Sequence, residues 1–369
     1  MASTDLTGPK GARFHTREWK PAGGAPARAA VLFVHGFVEH VERYNHVFAS
    51  FAEKGIATFA YDQRGFGKTA TYTPKHTQGV TSWPEQFDDI RHFLALVLEK
   101  YPSVPVFLFG HSMGGGLVLA YSTRSPPSAN VDRLAGVIAS SPLLRQSKGV
   151  KASPFIVKAG SLIGRLSSTL TLKATVNPED TCRDPAVQKE YANDPLCKQV
   201  GTYRGVADML LGGEQVVSKD YKRFPTSLPL LVVHGDADKV TDCDSSREFV
   251  DKVKSLGAKD ATFKSFPGYY HEMHNEPGDD KWVEINFVRE WIEQHIPTSS
   301  STAATNATTA AKQPDLPSLE GAAAGSSGAS EVPGLDSEAG GVEGGDGVGA
   351  DDAAASAKVQ EGRERESKL

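Results

Sequence analysis

Residues 105–122 read PVFLFGHSMGGGLVLAYS, and this stretch decides the fold. Its first part, Pro105–Phe109, is a short apolar run of the kind a strand shows when both its faces are buried. The run ends in Gly110-His111-Ser112-Met113-Gly114, a G-x-S-x-G pattern, and a helical pattern follows over 117–124. A strand that turns sharply into a helix at such a motif holds the central serine in a strained backbone with its hydroxyl presented. Glycine two positions before and after removes side chains that would collide there. Small residues serve many tight turns, so the strand before and the helix after are what make Ser112 the expected nucleophile.

Other short apolar runs lie on both sides of this one. Ala29–Val34, Ile56–Tyr61, Leu134–Ala139 and Leu228–Val233 read as further buried strands. Between them lie helical patterns. Phe87, Ile90, Leu94, Val97, Leu98 and Tyr101 share one helix face, and Trp282, Ile285, Val288 and Ile292 another. Strands alternating with helices predict a mostly parallel, doubly wound α/β sheet. The alternation breaks over 143–227, which has helical pieces, glycines and prolines but no buried strand. It reads as an insertion between two strands.

A serine needs a base to take its proton and an acid to orient that base. In chain order after a strand-turn serine the acid precedes the histidine. Leu228–Val233 runs into His234-Gly235-Asp236-Ala237-Asp238, and Ala261–Phe266 into Pro267-Gly268-Tyr269-Tyr270-His271-Glu272-Met273-His274. Either aspartate and either histidine stands at a strand end, where sites gather in open α/β sheets. The oxyanion of a tetrahedral intermediate needs donors. The backbone N–H groups of Met113 and of Phe37, in the turn His35-Gly36-Phe37 after Ala29–Val34, are the candidates.

At these residues the chain resembles the monoacylglycerol lipase family, in the serine-aminopeptidase-like branch of the α/β hydrolases, over residues 13–295. His35–Tyr44 carries H-G-x-x-E-H-x-x-R-Y, Asp62–Gly67 resembles D-x-R-G-x-G, and Gly110–Gly115 reproduces G-H-S-M-G-G. His234–Asp238 resembles the H-G-x-x-D acid loop, favouring Asp238, and Gly268–His271 the G-x-x-H base loop, favouring His271. Asp194-Pro195-Leu196 also has a counterpart. The resemblance implies an α/β-hydrolase core of residues 1–142 and 228–296, a helical cap over 143–227, and a Ser112-Asp238-His271 triad. It implies hydrolysis of monoacylglycerols or similar esters, with no cofactor and no metal. Lysophospholipase, general carboxylesterase and aminopeptidase activities are the alternatives, as is a non-catalytic binding protein. Glu39, Arg43, His111 and His274 are implied either to order the glycerol moiety or to brace the oxyanion loop. Two departures stand out. Phe37 replaces the small residue usual after H-G, where its ring would narrow the acyl entrance, and Phe66 replaces a common histidine.

Composition bounds the rest. From Pro297 onward twelve acidic residues face five basic ones, a charge of −7, so the net −5 of the chain leaves +2 for the remainder. Such a balance gives no support to nucleic-acid binding. The segment 297–358 has no aromatic residue and is rich in Ala, Gly and Ser, so 297–369 is expected to be disordered. Cys182, Cys197 and Cys243 lack metal-site spacing and are expected to be free thiols. No stretch has the length of a membrane span or a signal-peptide core, which predicts an intracellular protein. Between Asp132 and Glu179 seven basic residues and no acid are interleaved with apolar ones, a pattern suited to peripheral contact with an anionic membrane or droplet surface. The last residues, Ser367-Lys368-Leu369, match the S-K-L address read by a peroxisomal import receptor. The resemblance suggests cytosol and lipid droplets instead.

Overall fold

Apolar runs that do not alternate with polar residues need cover on both faces. The computed structural model, which describes residues 2–72, 78–150 and 152–297, supplies that cover. In chain order the strands are β1 (Ala2–Thr7), β2 (Arg13–Trp19), β3 (Ala29–Val34), β4 (Ile56–Tyr61), β5 (Val106–His111), β6 (Gly136–Ser140), β7 (Thr171–Lys173), β8 (Val200–Thr202), β9 (Leu230–Gly235) and β10 (Ala261–Phe266). The helices are α1 (Asn45–Glu53), α2 (Trp83–Lys100), α3 (Met113–Ser122), α4 (Pro154–Leu166), α5 (Pro185–Asn193), α6 (Tyr203–Ser218), α7 (Cys243–Ser255) and α8 (Asp280–Gln294). Eight strands form one sheet in the order β1-β2-β4-β3-β5-β6-β9-β10, parallel from β4 to β10.

The strand period of two divides the core between the faces. Ala29, Val31 and Phe33 of β3 join a cluster with Phe48 and Phe51 of α1 and Ile285, Val288 and Ile292 of α8. Ala30, Leu32 and Val34 join another with residues of α2, α3 and α7. This is the doubly wound α/β architecture that the alternation predicts.

The strands read from sequence fall where expected, with systematic shifts at their ends. β5, β6 and β9 continue past the apolar runs to His111, Ser140 and Gly235, because sheet pairing persists where the residues turn polar, as in His111 opposite Ser140. The first two strands have no such apolar run. β1 is a polar edge strand, paired antiparallel to β2 alone. β2 mixes buried Phe14 and Trp19 with charged residues.

Between β6 and β9 the chain leaves the sheet and forms α4, α5, α6 and the separate antiparallel pair β7-β8. Residues 298–369, including Ser367-Lys368-Leu369, lie outside the described residues. Among the described residues no helix is long and apolar enough to cross a membrane.

Candidate active site

Ser112 caps the start of α3 with φ 55° and ψ −120°, left-handed backbone that a side-chain-bearing residue seldom adopts. Crowding enforces the turn. A Cβ on Gly110 would run into the Gly114 carbonyl, and one on Gly114 into the Val34 carbonyl. The Ser112 N–H donates to the Ser140 carbonyl at 2.9 Å, and the Ser112 carbonyl accepts from Leu143 N–H at 2.9 Å. The elbow is thereby fastened to the end of β6.

The loops after β9 and β10 meet this serine. His271 Nε2 lies 2.9 Å from Ser112 Oγ, and His271 Nδ1 lies 2.8 Å from Asp238 Oδ2. Asp238 also accepts from His234 Nε2 (3.0 Å), the Thr241 hydroxyl (2.7 Å), and the N–H groups of Val240 (2.7 Å) and Thr241 (2.9 Å). Burial alone would raise this carboxyl, but the facing His271, with the hydrogen bonds from His234 and His271, holds it well below the usual carboxylate range. Asp236 points elsewhere and accepts from Gly268 N–H at 2.6 Å. His274 lies behind the site, where burial and then the neighbouring His111 lower its pKa well below the usual value. His234, Thr241 and Ser141, whose hydroxyl donates to the His271 carbonyl at 2.9 Å, are site residues that motif reading passed over. Only His234 had a signal, as the first residue of the acid-loop motif.

The other loop is the one after β3. Phe37 and Ser112 line the same cavity. Neither Phe37 N–H nor Met113 N–H donates to a protein acceptor among the described residues, so both are free for a ligand oxygen. Gly36 leaves no room for a side chain, since a Cβ would strike the Glu39 carboxylate and crowd Ser112 Cβ. Glu39 accepts from Gly36 N–H, from the Tyr44 hydroxyl at 2.7 Å and from Arg43 at 3.0 Å. Arg43 also grips Glu272 with two bonds of 2.7 Å. Burial opposes charge on all three, yet the facing His111, and after it Arg43, hold Glu39 well below its usual range, and Arg43 holds Glu272 below its own. Glu39, His111 and His274 are buried, the Arg43 side chain is only 9% exposed, and none of the four lines the cavity at Ser112. They join the loop after β3 to the loop that carries His271.

Glu284 of α8 lies beneath this network. It accepts from the Ser140 hydroxyl at 3.2 Å and lines a small void with His111 and His274. Burial, with no cation paired to it, pushes its carboxyl up to about 7.

A cavity of about 260 Å³ opens over Ser112. Leu143, Leu172, Val206, Met209 and Leu210 give it an apolar wall, and Asn177, Asp180 and Lys239 add polar groups. Elsewhere among the described residues His40, Asp194 and Cys197 bring three potential metal ligands within 4.8 Å of one another. The donor set suits a cation poorly. His40 Nε2 is already bonded to Asp194 at 2.8 Å, burial pushes the Cys197 thiol far up, and the Arg43 cation acts on the same group. The three cysteines are free thiols.

The serine aminopeptidase family S33 matches residues 25–278. The chain belongs to that family. A monoacylglycerol lipase of Mycolicibacterium smegmatis is 32% identical over 291 residues, 79% of this chain and 96% of that protein. Among solved structures, a soluble variant of the Saccharomyces cerevisiae monoglyceride lipase in complex with a substrate analog superposes with a TM-score of 0.72. It is 25% identical and covers 80% of this chain and 96% of its own. The monoacylglycerol lipase of Paleococcus ferrophilus gives a TM-score of 0.65 at 28% identity over 76% of this chain and 99% of its own. Within the S33 family the chain falls in the monoacylglycerol lipase group, and it is a serine ester hydrolase.

Two measurements follow from the buried charges. Replacing Arg43 strands two buried carboxylates, so Arg43→Met should cost about 3–5 kcal/mol in chemical denaturation. It should lower turnover of an acylglycerol and of a simple aryl ester by similar factors, whereas a KM rise confined to the acylglycerol would argue for contact with the head group. The folded pKa of Glu284 lies above its unfolded value near 4.5. Its protonated form therefore supports the fold below pH 4.5, and that support is lost as pH rises through about 7. Glu284→Gln should gain about 3 kcal/mol relative to the parent between pH 4.5 and 7.5, read from urea midpoints at each pH.

Proposed function

We propose that the chain hydrolyses monoacylglycerols to fatty acid and glycerol through Ser112, His271 and Asp238. The observation that carries this reading is the unbroken chain of hydrogen bonds from Asp238 through His271 to Ser112, ending at an apolar cavity. The similarity to monoacylglycerol lipases supports the choice of substrate.

In this mechanism Ser112 Oγ attacks the ester carbonyl while His271 Nε2 takes its proton. Asp238 fixes the ring with Nδ1–H toward its carboxylate and stabilises the imidazolium. The oxyanion of the tetrahedral intermediate accepts from Phe37 and Met113 N–H. Collapse breaks the bond to the glycerol oxygen, which leaves with the proton from His271. Water then attacks the acyl-enzyme, giving its proton to His271, and the second collapse returns that proton to Ser112 as the fatty acid departs. Residues 143–227 act as a cap that supplies the apolar wall. An aminopeptidase would need an uncommitted carboxylate for the substrate amine. Asp180, the one acid lining the cavity among the described residues, lies 3.9 Å from Lys239 and is already matched.

The outer surface of the cap suits a lipid interface. A Cβ on Gly164 would come within 2.6 Å of Arg204 N, so α4 turns its glycine side to α6. Leu162, Leu166 and Leu170 are left 63%, 85% and 47% exposed. Lys158, Arg165 and Lys173 are exposed in the same segment, and basic plus apolar surface favours anionic membranes.

Ser112→Ala and His271→Ala should each lower kcat on a monoacylglycerol by about ten-thousandfold or more. Asp238→Asn should cost nearly as much and Asp236→Asn little. An exchange of behaviour between the two aspartates would overturn the assignment of the acid. In sedimentation with anionic vesicles the parent should bind. The double variant Leu162→Glu, Leu166→Glu should stay in the supernatant, while undiminished binding would remove the cap from the membrane contact.

A further inference from the structure

Phe37 and Phe66 are the two positions where the motifs depart from the family pattern, and the fold brings these two rings together. Their centroids are 5.4 Å apart at 74°, an edge-to-face contact. Phe66 is fully buried and stands edge-on to His35 as well, so it is a fixed support. On the other side the Phe37 ring meets the inserted segment. A Cβ on Gly201 would lie 3.0 Å from Phe37 Cζ and 2.7 Å from Val206 Cγ2, so a side chain there would have to push the ring or Val206 aside. Gly201 has no left-handed φ, so its closeness to the ring, and not its backbone conformation, is what glycine serves there.

The ring is also close to the reacting centre. Gly36, the residue before it, approaches Ser112 Cβ, and Phe37 lines the Ser112 cavity beside Val206, Met209 and Leu210. A ring held on two sides cannot swing away from a bulky acyl group, as a lone exposed phenylalanine could.

We propose that Phe37, wedged between Phe66 and Gly201, is the specificity-determining wall for the first carbons of the acyl chain. It admits straight chains and rejects those branched next to the carbonyl. The inference rests on the ester hydrolase reading of Ser112 and concerns the Phe37 side chain, a role separate from the Phe37 N–H.

The test compares kcat/KM for a 4-nitrophenyl butanoate and its α-methyl-branched analogue, which share a leaving group. The parent should prefer the straight ester strongly, since one methyl in a packed pocket is worth roughly 10- to 200-fold. Phe37→Ala should reduce that preference about tenfold or more. Phe66→Leu, which keeps the Phe37 ring and N–H but removes the support, should reduce it in the same direction by less. A preference unchanged within about twofold in both variants would overturn the proposal. Fluorophosphonate labelling of Ser112 in the parent and both variants separates the two readings. If the parent neither labels nor hydrolyses the straight ester, the hydrolase reading fails, and the wedge with it.

Discussion

One buried cation organises the site. Arg43 is held between Glu39 on its own loop and Glu272 on the loop after β10. An unpaired charge at such depth would be intolerable, so the two loops must stay where both carboxylates reach the guanidinium. The consequences run outward in both directions. Glu39, fixed by Arg43 and Tyr44, receives Gly36 N–H and so shapes the turn that presents Phe37, a turn in which Val38 takes the positive φ of 51°. Glu272, fixed on the other side, is the immediate neighbour of His271. The proposed oxyanion donor and the proposed base therefore take their relative position from one ion-pair network behind them.

Asp238 meets a different requirement. As the proposed triad acid it must stay ionised while it orients an imidazole, although burial opposes its charge. Five donors from His234, Val240, Thr241 and His271 offset that penalty. Two are backbone N–H groups of the turn that follows, so the loop sequence itself prepares the carboxylate. Asp236, two residues earlier, has no access to this nest and serves its loop by holding Gly268. The acid and base loops are thus clasped at several points, among them His271 on Asp238, Gly268 on Asp236, and the Ala237 N–H on the Tyr269 carbonyl at 3.1 Å.

Much of this was legible in the sequence, and the reason is physical. β3, β4, β5, β6 and β9 are buried on both faces, so they appear as apolar runs, and the serine, acid and base loops begin where those runs or β10 end. The choices of Asp238 over Asp236 and of His271 over His274 needed the family motifs, because either member of each pair stands at the right strand end. What stayed hidden depends on distant partners. Nothing local marks Thr241 as a donor to Asp238 or Ser141 as a support for His271. β1 escaped because a polar edge strand weakens the strand pattern, and β2 because its buried positions mix Phe14 and Trp19 with His15, Thr16 and Glu18, so no apolar run forms. Glu39 and Arg43 could be seen as a pair four residues apart, but their third member, Glu272, lies 229 residues beyond Arg43. The network that joins the two loops through Arg43 is therefore visible only once the chain is folded.

The two sides of Ser112 use opposite physics. Behind it, charges and hydrogen bonds are packed so densely that a single neutral replacement leaves partners stranded, which makes that region rigid. In front of it, the wall is aliphatic and aromatic, contributed largely by residues 143–227, and apolar contacts tolerate changes of shape far better than buried charges tolerate loss of a partner. Phe37 is where the two sides meet. Its N–H belongs to the rigid loop that Glu39 and Arg43 hold, and its ring belongs to the apolar wall that Gly201 and Val206 complete. Because the backbone of Phe37 is fixed from behind, the ring cannot yield by moving the loop. On the proposed reading only the inserted segment can give way, and the fit of an acyl chain would depend on how closely that segment packs against the ring.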